Sequence, residues 1–389
     1  MRFLTINFYT SKETNLWKDN GGIPYALAKY YRYKSRYVYL NKYGITKNAE
    51  YEKYVELDAI DSGNNTFINY FNILKYICKN IKEFDVLNFY ELGIIGILAS
   101  KLAKVINPNI IVYNKLDMGR YIFIELTKNN NIKRKIKNFL LGELTNCIDI
   151  YTVETQKYIE PLNKLKRFKN KIKYLPNGYF DDLVEINENI KKEKIILTVG
   201  RLGTLEKNTE MLVETIENIE PEKLKGWKIY LVGSMTEKFK EWFNNRLNAK
   251  PYLQNHFVVT GNITDKKELY TLYAKSCVFV LPSRWESWGL VLTEAAAFAC
   301  YPIVTDCCDA FYEMLDSANG NFSKIIPQED KNALRNAIED VLDNEIDYIS
   351  NGIKAHEFVS ENFDWKIVVR NLDNYLNELQ GKKKNVKRI

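Results

Sequence analysis

The stretch PSRWESWGLVLTEAAAFA, residues 282–299, carries two glutamates, Glu286 and Glu294, on either side of a glycine that opens an apolar, alanine-rich run. The run reads as a tightly packed helix under a sheet. Amides at a helix start have no carbonyl ahead of them, so Gly289, Leu290 and Val291 would offer free N–H groups to an anion. Glu294 then falls about 7 Å along the helix axis, a separation that suits a ribose whose phosphates sit at the helix start. Glu286, in the loop before the helix, would reach the opposite end of a nucleotide-linked ligand. A second stretch, ILTVGRLGTLEKNTEMLVETI, runs from a strand through Gly200 into a loop with Arg201 and Lys207, then into a helix. Arginine gives a planar two-pronged fork and lysine a point charge, a combination suited to a diphosphate. Each residue taken alone also has a plainer reading: a surface cation beside a turn, an exposed loop carboxylate, a solvated helix carboxylate.

These residues need a scaffold, and short β-branched or aromatic runs supply it. They are RFLTINF, RYVYLN, DVLNFYE, NIIVYNKLD, IDIYTVET and IKYLPNG in the first half, then KIILTVG, WKIYLVG, HFVVTG, CVFVLPS and YPIVTD. Apolar runs without alternation, separated by amphipathic segments, predict parallel strands buried on both faces. In the second half each run ends in glycine or a small polar residue. That puts open turns at the strands' carboxyl ends, where such sheets bind ligands. A chain of 389 residues exceeds the size of one core, so two doubly wound α/β domains are expected.

The domains are expected at 1–182 and 194–362, joined by a polar linker at 183–193. A helix at 363–380, with Ile367, Val368, Leu372 and Leu376 at helical spacing, precedes a basic tail at 381–389. Charge is uneven. Residues 1–182 hold 29 Lys+Arg against 18 Asp+Glu, residues 183–380 hold 22 against 31, and the tail adds five cations. A basic front half suits an anionic partner: a membrane surface, a lipid diphosphate or nucleic acid, of which the last has no accompanying motif. The plainer alternative is helix faces with solvated lysines. The six cysteines show no C-x-x-C spacing, the chain opens without a signal-peptide pattern, and no apolar run reaches membrane-spanning length. A cytoplasmic protein is expected, associated with the inner face of the cell membrane if the basic segments touch lipid. No Asp-x-Asp string offers a divalent-metal site, and the two histidines, His256 (in an expected strand) and His356, read as packing or surface residues.

At this point SRWESWGLVLTEAAAFACYPIVTD resembles the E-x7-E segment of retaining GT-B glycosyltransferases of family four, and VGRLGTLEKNTEML resembles their Arg/Lys diphosphate clamp. NGGIPYALAKYY resembles the amino-terminal glycine loop and its helix. TVETQKYIEPL, YLPNGYF, IYLVGS, VVTGNI, SANGNFSKII and the closing FDW helix follow in the family's order, so the similarity covers most of the chain. The resemblance implies two Rossmann-like domains facing each other across a cleft, with the last helix crossing back to the first domain. It implies a metal- and cofactor-independent hexosyltransferase that moves sugar from a nucleotide diphosphate to a glycan or lipid-linked acceptor in surface polysaccharide or glycoconjugate synthesis. Glu286 would contact donor hydroxyls and Glu294 the ribose. Gly289, Leu290 and Val291 would bind the diphosphate and sugar, and Arg201 and Lys207 would neutralise the leaving group. Gly21 and Gly22 would form the first-domain wall of the cleft, and Asn262 and Ile263 would border the base. The first domain would take the acceptor.

Three departures stand out. Many relatives carry a histidine in the loop that reads NKLDMGR here, where Lys115 or Asp117 occupies the neighbourhood; Asp117 is either a sugar or acceptor contact or an ordinary loop carboxylate. AAAFACYP lacks the family's glycine, and the spacing from Arg201 to Lys207 is one residue longer than in many relatives. Two other readings remain at this stage: a different GT-B enzyme such as an epimerase or phosphorylase, and a non-catalytic glycan-binding partner subunit.

Overall fold

A computed structural model of the chain describes residues 1–10, 13–42, 48–90, 93–128, 141–180, 191–316 and 322–386. These form two compact units, Met1–Gly178 with Trp365–Ile389, and Tyr179–Asp364. Of the expected linker, 183–190 lies outside the described residues.

The first unit is built on seven strands: β1 (Arg2–Thr10), β2 (Lys34–Asn41), β3 (Val55–Asp61), β4 (Val86–Tyr90), β5 (Ile111–Lys115), β6 (Ile150–Val153) and β7 (Ile172–Tyr174). All pair in parallel in the order β3-β2-β1-β4-β5-β6-β7. The central strands β5 and β6 are buried at every position. That is why they read as unbroken apolar runs. The order reverses beside β1, so the connection into β4 leaves open space at the carboxyl ends of β1 and β4.

The chain returns to this unit through the helix Trp365–Val386, which packs on the helix Asp19–Tyr31. Tyr33 Oη donates to Asp373 Oδ1 at 2.7 Å, and Tyr31 Oη to the Lys366 carbonyl at 3.2 Å. The returning helix is longer than the expected 363–380. It runs through Gly381 into the lysines of the tail, where Lys383 Nζ reaches the Ile110 carbonyl at 2.6 Å and Asp149 Oδ2 at 3.1 Å.

The second unit holds β8 (Glu193–Val199), β9 (Lys228–Val232), β10 (Phe257–Gly261), β11 (Ser276–Leu281), β12 (Tyr301–Thr305) and β13 (Lys324–Ile326), all parallel, in the order β10-β9-β8-β11-β12-β13. Here the reversal falls between β8 and β11. The two strands that the sequence runs do not reveal, β3 and β13, are both sheet edges. β3 reads VELDAID and is largely solvated, and β13 is only three residues long. Edge strands stay short or charged, which erases the apolar signal. His256 lies just before β10 rather than inside a strand, with Nδ1 at 3.0 Å from the Trp227 carbonyl.

Candidate functional site

The carboxyl ends of β8 and β11 lie side by side at the reversal of the second sheet, and the two stretches singled out above follow directly from them. Gly200 leaves β8 with its amide bonded to the Val232 carbonyl at 2.9 Å. At Gly233, φ is +134° and a Cβ would stand 1.8 Å from the Gly200 carbonyl oxygen, so the loop end of β9 presses on this turn where only glycine fits. The loop 201–208 closes on itself through Lys207 N to Thr204 O at 3.1 Å, and then opens the helix Thr209–Glu217.

Lys207 and Glu286 meet across this junction. Lys207 Nζ lies 2.5 Å from Glu286 Oε1, with both side chains mostly covered. Ser283 Oγ donates to the same oxygen at 2.8 Å. The cation of the expected clamp and the expected sugar-reading carboxylate therefore form one ion pair. Arg201, on the same loop, is 71% exposed and pairs with Glu206, so its guanidinium is open to an incoming anion. The helix Leu290–Ala297 begins immediately after Glu286, Ser287 and the buried Trp288. Gly289 has φ +85°, and a Cβ there would lie 2.8 Å from the Phe311 ring. The earliest helix amide with a carbonyl partner is that of Leu292, to Gly289 O at 2.8 Å, which leaves those of Leu290 and Val291 ahead of the hydrogen-bond ladder.

Glu294 is 7% exposed one turn into this helix. Its carboxylate accepts from Lys266, which also lies 5.1 Å over the Tyr270 ring, and from Tyr270 Oη and Tyr273 Oη at 3.4 Å each. Burial first, and the facing Glu294 charge second, push both phenols well up, so they stay protonated donors. Asn262 is exposed and Ile263 half-buried in the turn after the edge strand β10, and Ile263 packs on the same core cluster as the Glu294 helix. Lys266, three residues further on, ties this turn's helix to Glu294.

Sequence reasoning passed over Arg284, which fastens the two loops together. Its amide donates to the Glu206 carbonyl at 2.8 Å, its Nη1 to the Leu205 carbonyl at 2.8 Å, and its Nε to Glu329 Oε1 at 2.5 Å. Gln328 Nε2 then bonds the Arg284 carbonyl at 3.0 Å and the Asp306 carbonyl at 3.1 Å. Four loops, those after β8, β11, β12 and β13, are thus held in one register. The arginine stands two positions before Glu286 in the quoted stretch, but nothing in its local sequence shows that its partners include the Leu205 carbonyl, 79 positions upstream.

In the first unit, Gly21 and Gly22 lie in the opening turn of the helix Asp19–Tyr31 rather than in a loop. Packing inside the unit accounts for both glycines. A Cβ on Gly21 would meet the Leu16 backbone at 2.3 Å, and one on Gly22 the Trp365 indole at 3.1 Å. Lys115, at the end of β5, is fully buried with Nζ 2.8 Å from Glu154 Oε1, whereas Asp117 two residues later is exposed. Burial pushes the Glu154 carboxyl up to about 7, against the pull of Lys115 and with the help of Asp117 and Asp19. The Asp19 carboxyl is likewise raised by burial. The described residues hold no group of three or more His, Cys, Asp or Glu that could bind a metal ion. Cys307 and Cys308 are buried in the core beside the Glu286 loop, with Cys308 Sγ 3.1 Å from the Ser287 carbonyl.

Residues 193–344 match the family described as glycosyl transferases group 1. Amylovoran biosynthesis glycosyltransferase AmsD of Erwinia amylovora is 25% identical over 238 residues, 61% of this chain and 62% of AmsD. Among solved structures, sucrose-phosphate synthase from Thermosynechococcus elongatus superposes with a TM-score of 0.71 at 16% identity, covering 98% of this chain and 100% of that one. HepE from Anabaena, crystallised with UDP and glucose, gives 0.70 at 13% identity over 97% of this chain and 100% of HepE. The chain thus has the two-sheet GT-B fold of these structures along nearly its whole length, and most of its second unit matches the glycosyl transferases group 1.

Proposed function

We propose that the protein transfers a hexose-type sugar from a UDP-sugar to a hydroxyl of a glycan or lipid-linked acceptor, with retention and without a metal ion, in building a surface polysaccharide or glycoconjugate. The observation that carries this reading is the Lys207–Glu286 pair at the reversal of the second sheet, next to the helix start at Gly289. UDP as the nucleotide is suggested by the ligand held in HepE, and polysaccharide synthesis by the name of AmsD.

Breaking a sugar–phosphate bond builds negative charge on the departing nucleoside diphosphate, and that charge must be met by groups already in place. Lys207, Arg201 and the amides of Leu290 and Val291 supply it. Glu286 holds Lys207 until the donor enters; the diphosphate then competes for the ammonium, and the released carboxylate is free to accept hydroxyls of the sugar. Glu294 reads the ribose hydroxyls, Asn262 and Ile263 border the base, and the first unit takes the acceptor, with Asp117 as a polar contact at its carboxyl edge.

The test is transfer from UDP-glucose, UDP-galactose and UDP-N-acetylglucosamine in EDTA, with the anomeric configuration of the product read by NMR. The reading expects UDP release with one donor and an axial linkage from an axial donor. An equatorial linkage, activity only on adding divalent metal, or no UDP release with any donor would overturn it.

A further inference from the structure

Three basic runs of the first half could face lipid, KYYRYKSRYVYLNKY, IKRKIKNFL and KLKRFKNKIK; the second lies outside the described residues, and the others, with the tail, are partly consumed inside the first unit. Tyr37 and Tyr39 of KYYRYKSRYVYLNKY are buried in β2. Lys171 of KLKRFKNKIK bonds the Asn146 and Ile148 carbonyls at 2.9 and 2.5 Å, and Lys383 of the tail bonds Ile110 and Asp149. A different surface is left uncovered. On the helix Thr66–Asn80, Phe67 is 84% and Phe71 65% exposed, one turn apart on one face. On the helix Ile94–Ile106, Ile94 is 71% and Leu98 45% exposed, again one turn apart. The two helices pack against each other. Both follow strands of one parallel sheet, so their amino halves lie at the same edge. Each apolar pair is followed on its stripe by an exposed lysine, Lys75 on one helix and Lys101 on the other.

Neither helix contains a single aspartate or glutamate, while each carries two lysines. Water-facing helices normally mix both signs. A face with large apolar side chains and only positive charge matches a surface that is apolar below and anionic above. We propose that the paired helices Thr66–Asn80 and Ile94–Ile106 lie in the interface of an anionic lipid bilayer, with Phe67, Phe71, Ile94 and Leu98 among the acyl chains and Lys75 and Lys101 at the headgroups. The lysine stems extend along apolar surface while their ammonium groups stay with the phosphates. The contact does not depend on which donor or acceptor the enzyme uses.

The test is co-sedimentation of the full chain with phosphatidylcholine vesicles, with and without about a third phosphatidylglycerol. Binding is expected on the anionic vesicles and weak on the neutral ones. Phe67→Ser with Phe71→Ser should lower the anionic-vesicle partition at least about tenfold, and Lys75→Glu with Lys101→Glu should abolish the preference for anionic lipid, roughly the contribution of two lysines near a charged surface. Because all four side chains are exposed, the melting temperatures of both variants should stay at the wild-type value. No sedimentation with either vesicle, equal binding to both, or a Phe67/Phe71 double variant that binds like wild type would each overturn the proposal. So would concentration-dependent self-association that these substitutions remove, since a second copy would then be the occupant.

Discussion

At the residue scale the proposed site is a set of carboxylate–ammonium pairs whose members a ligand would have to borrow. Glu294 is covered by Lys266 and two tyrosine hydroxyls, and a ribose would have to share it with them. Glu294→Gln should therefore weaken UDP binding about tenfold, the loss of one charge-assisted hydrogen bond, with kcat at saturating donor much less affected; calorimetric titration and saturation kinetics separate the two. A second prediction concerns Glu154. Its carboxyl ionises near 7 in the folded protein and near 4.5 when unfolded, so the folded state holds the proton more tightly. That contribution to stability is complete below the unfolded value and is lost as pH rises through about 7. Urea unfolding between about pH 5 and 8 should show wild-type stability falling relative to Glu154→Gln, and parallel profiles would contradict the assignment. The sequence marks Arg201, Lys207, Glu286 and Glu294 by type and spacing, but it does not show that Lys207 pairs with Glu286 and Lys266 with Glu294. Lys115 was equally invisible as a buried partner of Glu154, because that contact joins neighbouring strands far apart in the chain.

At the scale of elements, the loops at the carboxyl ends of β8 and β11 must keep register for Lys207 to meet Glu286. Arg284 ties them to each other and to the loop after β13 with three separate groups. Arg284→Ala should lower kcat about tenfold with a change in stability under about 1 kcal/mol, since its partners are partly solvated. Arg284→Lys should not restore activity, because a single ammonium cannot span a carbonyl and a carboxylate as the fork does; full activity in either variant would remove Arg284 from this role. Just past the helix Leu290–Ala297, Ala299 sits at φ +57°, the left-handed region that favours glycine. Ala299→Gly should raise unfolding free energy by about 0.5–1 kcal/mol, read from thermal or urea unfolding. Interior strands were legible because burial on both faces writes an unbroken apolar run. Of the edges, β7 and β10 were legible in IKYLPNG and HFVVTG, whereas solvent and charge dilute the signal of β3 in VELDAID, and the three residues of β13 stand in no longer apolar run.

At the scale of the whole molecule, alternation of apolar and amphipathic segments predicts two parallel sheets, and two are found, of seven and six strands. Composition alone does not say where each strand order reverses. That reversal brings residues 200–207 beside 283–294, and so determines where an anion would bind. The basic bias of the first half was readable too, but which lysines remain free depended on folding: Lys171 and Lys383 turn inward while Lys75 and Lys101 stay exposed. The central claim, that a diphosphate takes Lys207 from Glu286, is tested most directly by the affinity for UDP of Glu286→Gln and Lys207→Met measured by calorimetry. Glu286→Gln should bind UDP several-fold more tightly than wild type, because the Lys207 ammonium is already released, and Lys207→Met should bind at least about thirtyfold more weakly, the loss of a charge-assisted contact of about 2 kcal/mol. A Lys207→Met protein that binds UDP as wild type does would contradict it.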